Sequence, residues 1–283
     1  MNTPSVFVLL LRLSAFVLAV SAFTGAQAGV LDDARTRGAV RIGQNYVPPA
    51  YTAGAKFRTP EGVDVILAED IAKRLNLRLD SVRNTNNAGT GDDGKAVQAL
   101  KGARPDIALV TVEEGAARSG TAADGSVLIP TGYSAGAMAI MRTDTDIRKW
   151  EQLKGRTVCL SEGGSYVGQM TARYGAVEKV MRAPADSLLA VRIGQCDAAV
   201  HDDTMLKELL KLPEWKKFSA QLPPQSRSML MVKVPVADGA AIAYFRQTVA
   251  EWSRGDFWTA QKKKWSNTVA FEVYLDQNVP DCH

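Results

Sequence analysis

Four consecutive apolar residues, Ile107-Ala108-Leu109-Val110, stand directly behind the turn pair Pro105-Asp106. A run this short with no polar alternation fits a strand buried on both faces, the usual condition of parallel sheets packed between helices. A second such run, Ala198-Ala199-Val200, ends abruptly in His201-Asp202-Asp203. Between and around them lie helical patterns. Asp64 to Leu75 carries Val65, Leu67, Ala68, Ile71, Ala72 and Leu75 at helical spacing, with Asp64 as N-cap or first-turn acid and Asn76 as stop. Strand patterns at Val40–Gly43 and Leu77–Val82 complete a β-α-β-α-β order that includes a further helix at Lys95–Lys101. That order is the signature of a doubly wound α/β sheet.

The pattern restarts in the second half. Strand-like Ala137–Met141 is followed by a polar break at Arg142–Asp146, then a strand at Thr157–Leu160 and the turn Gly163-Gly164-Ser165. Helices are expected at Tyr166–Tyr174, Ser187–Arg192 and Asp203–Leu210, a strand at Met229–Val232, and closing helices at Ala240–Arg254 and Phe257–Trp265. Beyond Ser266 no strong periodicity is apparent. Two β/α units imply two lobes with a cleft between them, a favoured place for small ligands. The expected division is residues 1–28 a signal peptide, 29–142 with 234–266 the first lobe, 143–233 the second, and 267–283 a C-terminal tail.

Composition narrows the function. Thirty-four Lys+Arg against 30 Asp+Glu give a net charge of +4, too weak and too dispersed for a nucleic-acid surface. Leu9–Val20 is an apolar stretch interrupted by Arg12 and Ser14 and followed by Ala26-Gln27-Ala28. It reads as a secretory signal cleaved after Ala28 rather than a membrane span. Export places Cys159, Cys196 and Cys282 in an oxidising compartment, where one pair and one leftover is the simplest account. With two histidines, His201 and His283, and no C-x-x-C, no metal centre is expected, and no cofactor motif is present. Asp202 and Asp203 alone read as helix caps.

Taken in order, these pieces resemble the amino-acid-binding proteins of ABC importers, solute-binding protein family 3. Gly38–Gly43 with Pro48-Pro49 resembles the opening strand and cleft loop of that family. Gly62–Ala68 with Ile71–Leu75 resembles its "GFDVDLA…IAKRL" helix, Asp106–Leu109 its "vDia" strand, and Leu153–Val158 its "LKGktV". Gly194–Ala198 resembles "G.cDa", and Lys264-Trp265 the closing "KW". The resemblance spans roughly Gly38 to Trp265. It implies a two-lobed type II periplasmic binding fold and a monomer that captures an amino-acid-like zwitterion for a membrane permease, with no enzyme activity.

Residue by residue, the resemblance implies Arg118 as clamp for a ligand carboxylate, a role suited to a planar guanidinium. It implies Asp202 as acceptor of a ligand ammonium, leaving Asp203 as the cap. Gly163, Gly164 and Ser165 correspond to a turn offering N–H groups at a helix start, and Tyr51 to a stacking aromatic. Thr111 and Glu113 occupy small polar positions of the family's site, and Gly115 stands where a threonine is usual. Relatives with cysteines at both places imply a Cys159–Cys196 disulfide joining two strands, with Cys282 free or intermolecular. Two other functions stay open. One is a periplasmic dehydratase of prephenate-type acids on the same fold, with Glu113 or Glu162 as general acid. The other is a sensory or accessory module serving a membrane partner.

Overall fold

The structure, a computed structural model, describes residues 29–47, 56–84, 104–115, 120–122 and 124–277. The expected signal peptide, the helix at 95–101, Tyr51, Arg118 and Cys282 all lie outside these residues.

The chain begins with α1 (Val30–Arg37), which Gly38 ends in the left-handed region at φ 69°. Next come β1 (Ala39–Gln44), α2 (Val63–Leu75), β2 (Arg78–Arg83), β3 (Ile107–Glu113) and the short β4 (Gly120–Thr121). A 16-residue strand, β5 (Ser126–Met141), leads through a 3₁₀ turn to β6 (Thr157–Ser161), α3 (Gln169–Tyr174), β7 (Val177–Met181) and α4 (Pro184–Arg192). Then follow β8 (Ala198–Asp202), α5 (Asp203–Leu209), a second 16-residue strand β9 (Ala220–Pro235), α6 (Gly239–Trp252) and α7 (Phe257–Asp276).

The strands form one continuous path, β2-β1-β3-β9-β5-β8-β6-β7, with β4 on β5. At one end, β1 runs parallel to β2 and β3; at the other, β6 runs parallel to β7 and β8. Between them β5 and β9 lie antiparallel and serve both halves. Ser126–Pro130 pairs with Met231–Pro235 beside β3, whereas Ala137–Ile140 pairs with β8 and with the start of β9. Register shifts interrupt the β5–β9 ladder from Pro130 to Ser134 and again to Ala139. The chain therefore passes from one half to the other inside two strands. The lobe boundaries expected at 142/143 and 233/234 lie close to the ends of those strands, Met141 and Pro235.

Burial explains the apolar runs. On β6 and β8, Cys159 and Ala199 face one core shared with α4 and α5, while Val158, Leu160, Ala198 and Val200 face a second core with Trp150, Tyr166 and Met170. A strand covered on both sides has no solvent face to mark with polar residues. On α2, Val65, Leu67, Ala68, Ile71 and Ala72 are buried, as the helical spacing predicts.

Several elements depart from expectation: β5 begins at Ser126 rather than Ala137, α3 at Gln169 rather than Tyr166, and β7 was not expected. The start of β9 contains Pro223 and Pro224, yet it pairs only with β5, and an edge position tolerates missing N–H groups. The segment expected as an irregular tail is helical to Asp276: α7 buries Trp265, Val269, Ala270 and Val273 and packs on α4 and α5. Cys159 and Cys196 are bonded as expected, with Cα atoms 5.9 Å apart, but Cys196 sits in the turn before β8 rather than on a strand. Among the described residues no helix is long and apolar enough to cross a membrane.

Candidate functional site

A cavity of about 40 Å³ lies where the two halves meet. Its lining comes from the end of β1 (Asn45), the entrance to α2 (Glu61 to Asp64), β3 (Thr111), β5 (Tyr133), the turns after β6 (Gly163, Ser165, Tyr166) and the end of β8 (Asp202). Asn45, Thr111, the turns after β6 and Asp202 stand at the carboxyl ends of strands in the two parallel sets, where open α/β sheets place their ligand crevices.

Asp202 is the best-supported of these side chains. Its Oδ2 accepts a hydrogen bond from the Tyr133 hydroxyl and its Oδ1 one from the Tyr166 hydroxyl, both at 2.7 Å. The Tyr133 hydroxyl also lies 2.6 Å from Thr204 Oγ1. Burial, with the nearby negative charge of Glu61, pushes the Asp202 carboxyl up to about 6 despite the two tyrosine donors. The same burial, together with Asp202, holds both tyrosine hydroxyls well above their ordinary range, so they remain neutral donors.

Asp64 is a second buried acid. It accepts the backbone N–H of Asn45 at 3.0 Å and of Val65 at 3.1 Å, yet burial still raises it to about 6. The N-cap position of α2 belongs to Gly62, so Asp64 is a first-turn acid facing the cavity. Asn45 reaches Thr111 Oγ1 through its amide at 2.8 Å, which fixes the β1 end against β3.

Glu61 completes an acidic lining. Its Oε2 accepts from Ser161 Oγ and lies 2.7 Å from His201 Nδ1, and His201 Nε2 is 2.9 Å from Ser187 Oγ. Serine, histidine and glutamate stand in the order of an acyl-transfer triad. Ser187, however, is fully buried on α4 and does not line the cavity, so the chain of bonds is structural. With Glu61, Asp64 and Asp202 present and no lysine or arginine among the described lining residues, the cavity favours positive charge.

The expected residues divide as follows. Asp202, Thr111, Gly163 and Ser165 line the cavity. Gly164 lies beside it, its N–H given to Ser161 O at 3.1 Å. Glu113 is exposed at the far end of β3 and is not part of the lining, and Glu162 is exposed too. The helix expected from Tyr166 begins only at Gln169, so the Gly163–Ser165 turn does not stand at a helix start. Gly163 serves another purpose. At φ 81° it faces the Tyr46 ring, and a Cβ there would sit 2.4 Å from Tyr46 Cγ. Asp203 does not cap α5: its carboxylate accepts from Gly136 N–H at 3.0 Å, Lys207 Nζ at 2.7 Å and Arg227 Nη1 at 3.2 Å. Burial alone would raise it, but these donors bring it below the usual carboxylate range. Tyr133, Tyr166, Asp64, Glu61 and His201 were not singled out in the sequence as site residues. The sole local signal was the polar ending of each strand run.

No family model and no curated protein matches the chain. Solved structures do. A variant of ArgBP from T. maritima aligns at 20% identity and TM-score 0.52, covering 84% of this chain and 99% of that one. An ancestral amino-acid-binding protein, described as a precursor of cyclohexadienyl dehydratase, aligns at 19% and 0.53 over 84% and 99%. The cysteine-binding protein of Campylobacter jejuni aligns at 19% and 0.53 over 85% and 94%. At these identities the likeness speaks for architecture: the chain has the two-lobed α/β fold of the amino-acid-binding proteins.

Proposed function

We propose that this chain is an exported solute-binding protein that closes its two lobes on a small amino-acid-like molecule and passes it to an ABC permease. One observation carries the reading: a carboxylate at the end of β8, oriented by two tyrosine hydroxyls, faces a cavity with two further acids and no described cation. Such a site offers a ligand ammonium a fixed acceptor in a desolvated setting. The ligand's carboxylate falls to Arg118, which lies outside the described residues. By the ~10–15 Å³ that one water needs, the cavity holds about three waters. Entry of an amino acid therefore requires the lobes to part, the hinge motion expected of this architecture. We assign the hinge to the register breaks of β5 and β9 near Pro130–Ser134. The reading includes a cleaved leader at 1–28, a periplasmic location and a monomeric state.

The test is thermal denaturation against a panel of neutral and dibasic amino acids, polyamines and carboxylic acids without an amine. At 100 times the dissociation constant a true ligand stabilises by about 2.7 kcal/mol. An amine-bearing ligand is expected, and Asp202→Ala is expected to weaken it at least tenfold, since it leaves a buried ligand charge unpaired. Stabilisation by none of the panel, or unchanged affinity in Asp202→Ala, refutes the proposal.

One observation favours a second reading. Carboxyls raised to about 6 suit general acid–base chemistry. An acid-catalysed decarboxylative dehydration of a cyclic hydroxy acid, in which the protonated hydroxyl leaves as water while the ring carboxylate leaves as CO₂, would then use Asp202 or Asp64 rather than the exposed Glu113 or Glu162. Conversion of prephenate to phenylpyruvate, lost in Asp202→Asn, would establish it in place of capture.

A further inference from the structure

We propose that Glu61 is the latch that holds the lobes closed, a positioning role distinct from ligand contact. The inference rests on the two-lobed reading above. Glu61 belongs to the loop entering α2, which packs on β1, β2 and β3 in the first half. Its side chain, however, is spent in the second half. One carboxylate oxygen is shared by Ser161 at the end of β6 and His201 on β8, and His201 is in turn anchored to Ser187 on α4. All four residues are at most 3% exposed.

A buried carboxylate without partners is costly, and one removed partner leaves the other stranded. When the halves part, Glu61 regains water, and the open state carries no such penalty. Closure therefore exchanges hydration for two directed hydrogen bonds that only the second half supplies. That makes Glu61 sensitive to the separation of the lobes in a way that an apolar contact is not, because hydrogen bonds weaken steeply with misalignment.

The neighbouring contacts support the same segment. Arg58 Nε reaches Asp186 Oδ1 on α4 at 2.8 Å, and Arg58 and Lys56 both pair with Asp276 on α7. Glu272 on α7 accepts from Thr59 N–H at 2.9 Å and from its hydroxyl at 2.6 Å. Residues 56–61 are thus tied to α4, β6, β8 and the C-terminal helix. On the opposite wall Tyr46 of the first half fills the space above Gly163. Among these contacts, Glu61 alone reaches two strands of the second half and also lines the cavity.

The experiment needs no ligand. In a Cys282→Ser background, spin labels are placed at Glu69→Cys on α2 and Lys216→Cys after α5, both exposed positions in different halves, and their separation is measured by pulsed dipolar spectroscopy. The parent is expected to show mainly the shorter distance. Glu61→Ala is expected to move the major population to a longer one, while Glu61→Gln, which keeps an acceptor for Ser161, retains most of the short distance. Where Glu61→Ala does not fold, His201→Phe and Ser161→Ala each remove one donor and are expected to open the protein partway. Parent-like distances in every folded variant overturn the latch. The ligand panel judges solute capture separately: a chain that binds nothing yet opens on Glu61→Ala keeps the latch and loses the function.

Discussion

Replacing Asp202 by asparagine is expected to stabilise the empty protein while destroying the site. The carboxyl rises from 3.8 to about 6 on folding. At 1.36 kcal/mol per unit, holding it ionised at neutral pH costs about 3 kcal/mol, an upper bound because the side chain is partly solvated through the cavity. The sign follows from linkage. The folded state binds the proton more tightly than the unfolded chain, so the stability is intact below about pH 4 and is lost as pH rises through about 6. An amide has no proton to lose. It also fits the existing bonds: its oxygen accepts from Tyr166, and its N–H₂ donates to the Tyr133 oxygen, whose own hydrogen turns to Thr204. Urea denaturation of both proteins at about pH 4 and pH 7.5 checks this. Asp202→Asn is expected to differ little from the parent at the lower pH and to exceed it by up to about 3 kcal/mol at the higher, a Tm gain of roughly 5–10 °C. Asp64 titrates identically in both proteins and cancels. A variant less stable than the parent at neutral pH, or a difference independent of pH, would refute the argument that desolvation dominates at Asp202.

Two further outcomes follow from packing and covalent structure. Gly163→Ala is expected to weaken closure, since its Cβ would meet Tyr46 at 2.4 Å and the φ of 81° costs an alanine roughly 1–2 kcal/mol; Tyr46→Ala in the same chain should recover only the steric part, and full recovery in denaturation midpoints would contradict the backbone argument. Cleaving Cys159–Cys196, which closes a separation of 37 residues, is expected to destabilise the chain by about 4 kcal/mol; an unchanged urea midpoint for Cys159→Ser/Cys196→Ser would show that the cross-link restrains little in the unfolded chain.

Much of the architecture was legible because burial leaves a periodic trace. The spacing in α2, the run in β3 and the run in β8 each record how many faces of the element are covered. Where an element is half-covered or bordered by breakers, the trace fades. Pro130 and Gly132 hide the first part of β5, and the proline pair hides the start of β9. β7, an edge strand with Val177 and Val180 exposed, carries no core signal. In α7 the buried Trp265, Val269 and Val273 do recur every fourth residue, but the exposed Phe271, Tyr274 and Leu275 fill the other face and flatten the pattern. Of the site, Asp202 was within reach because a strand run ends on it. Tyr133 and Tyr166 were not, for they come from separate segments and meet Asp202 only across the sheet. Glu61 and His201 stand 140 residues apart, and nothing local to either marks the other.

The two long shared strands also bear on how the chain reaches its native state. β3 is completed on its inner side only by Ser228–Lys233, and β5 pairs along its length with β9 from Ala220 to Pro235. Neither half is contiguous in sequence, so a chain emerging from its amino terminus holds β1, β2 and β3 with an unpaired edge until β9 has followed. Loop closure over such separations is entropically slow, and unpaired edges invite association with other chains. The sharing of two strands between the halves thus defers completion of both to nearly the same moment, making their folding one concerted late event.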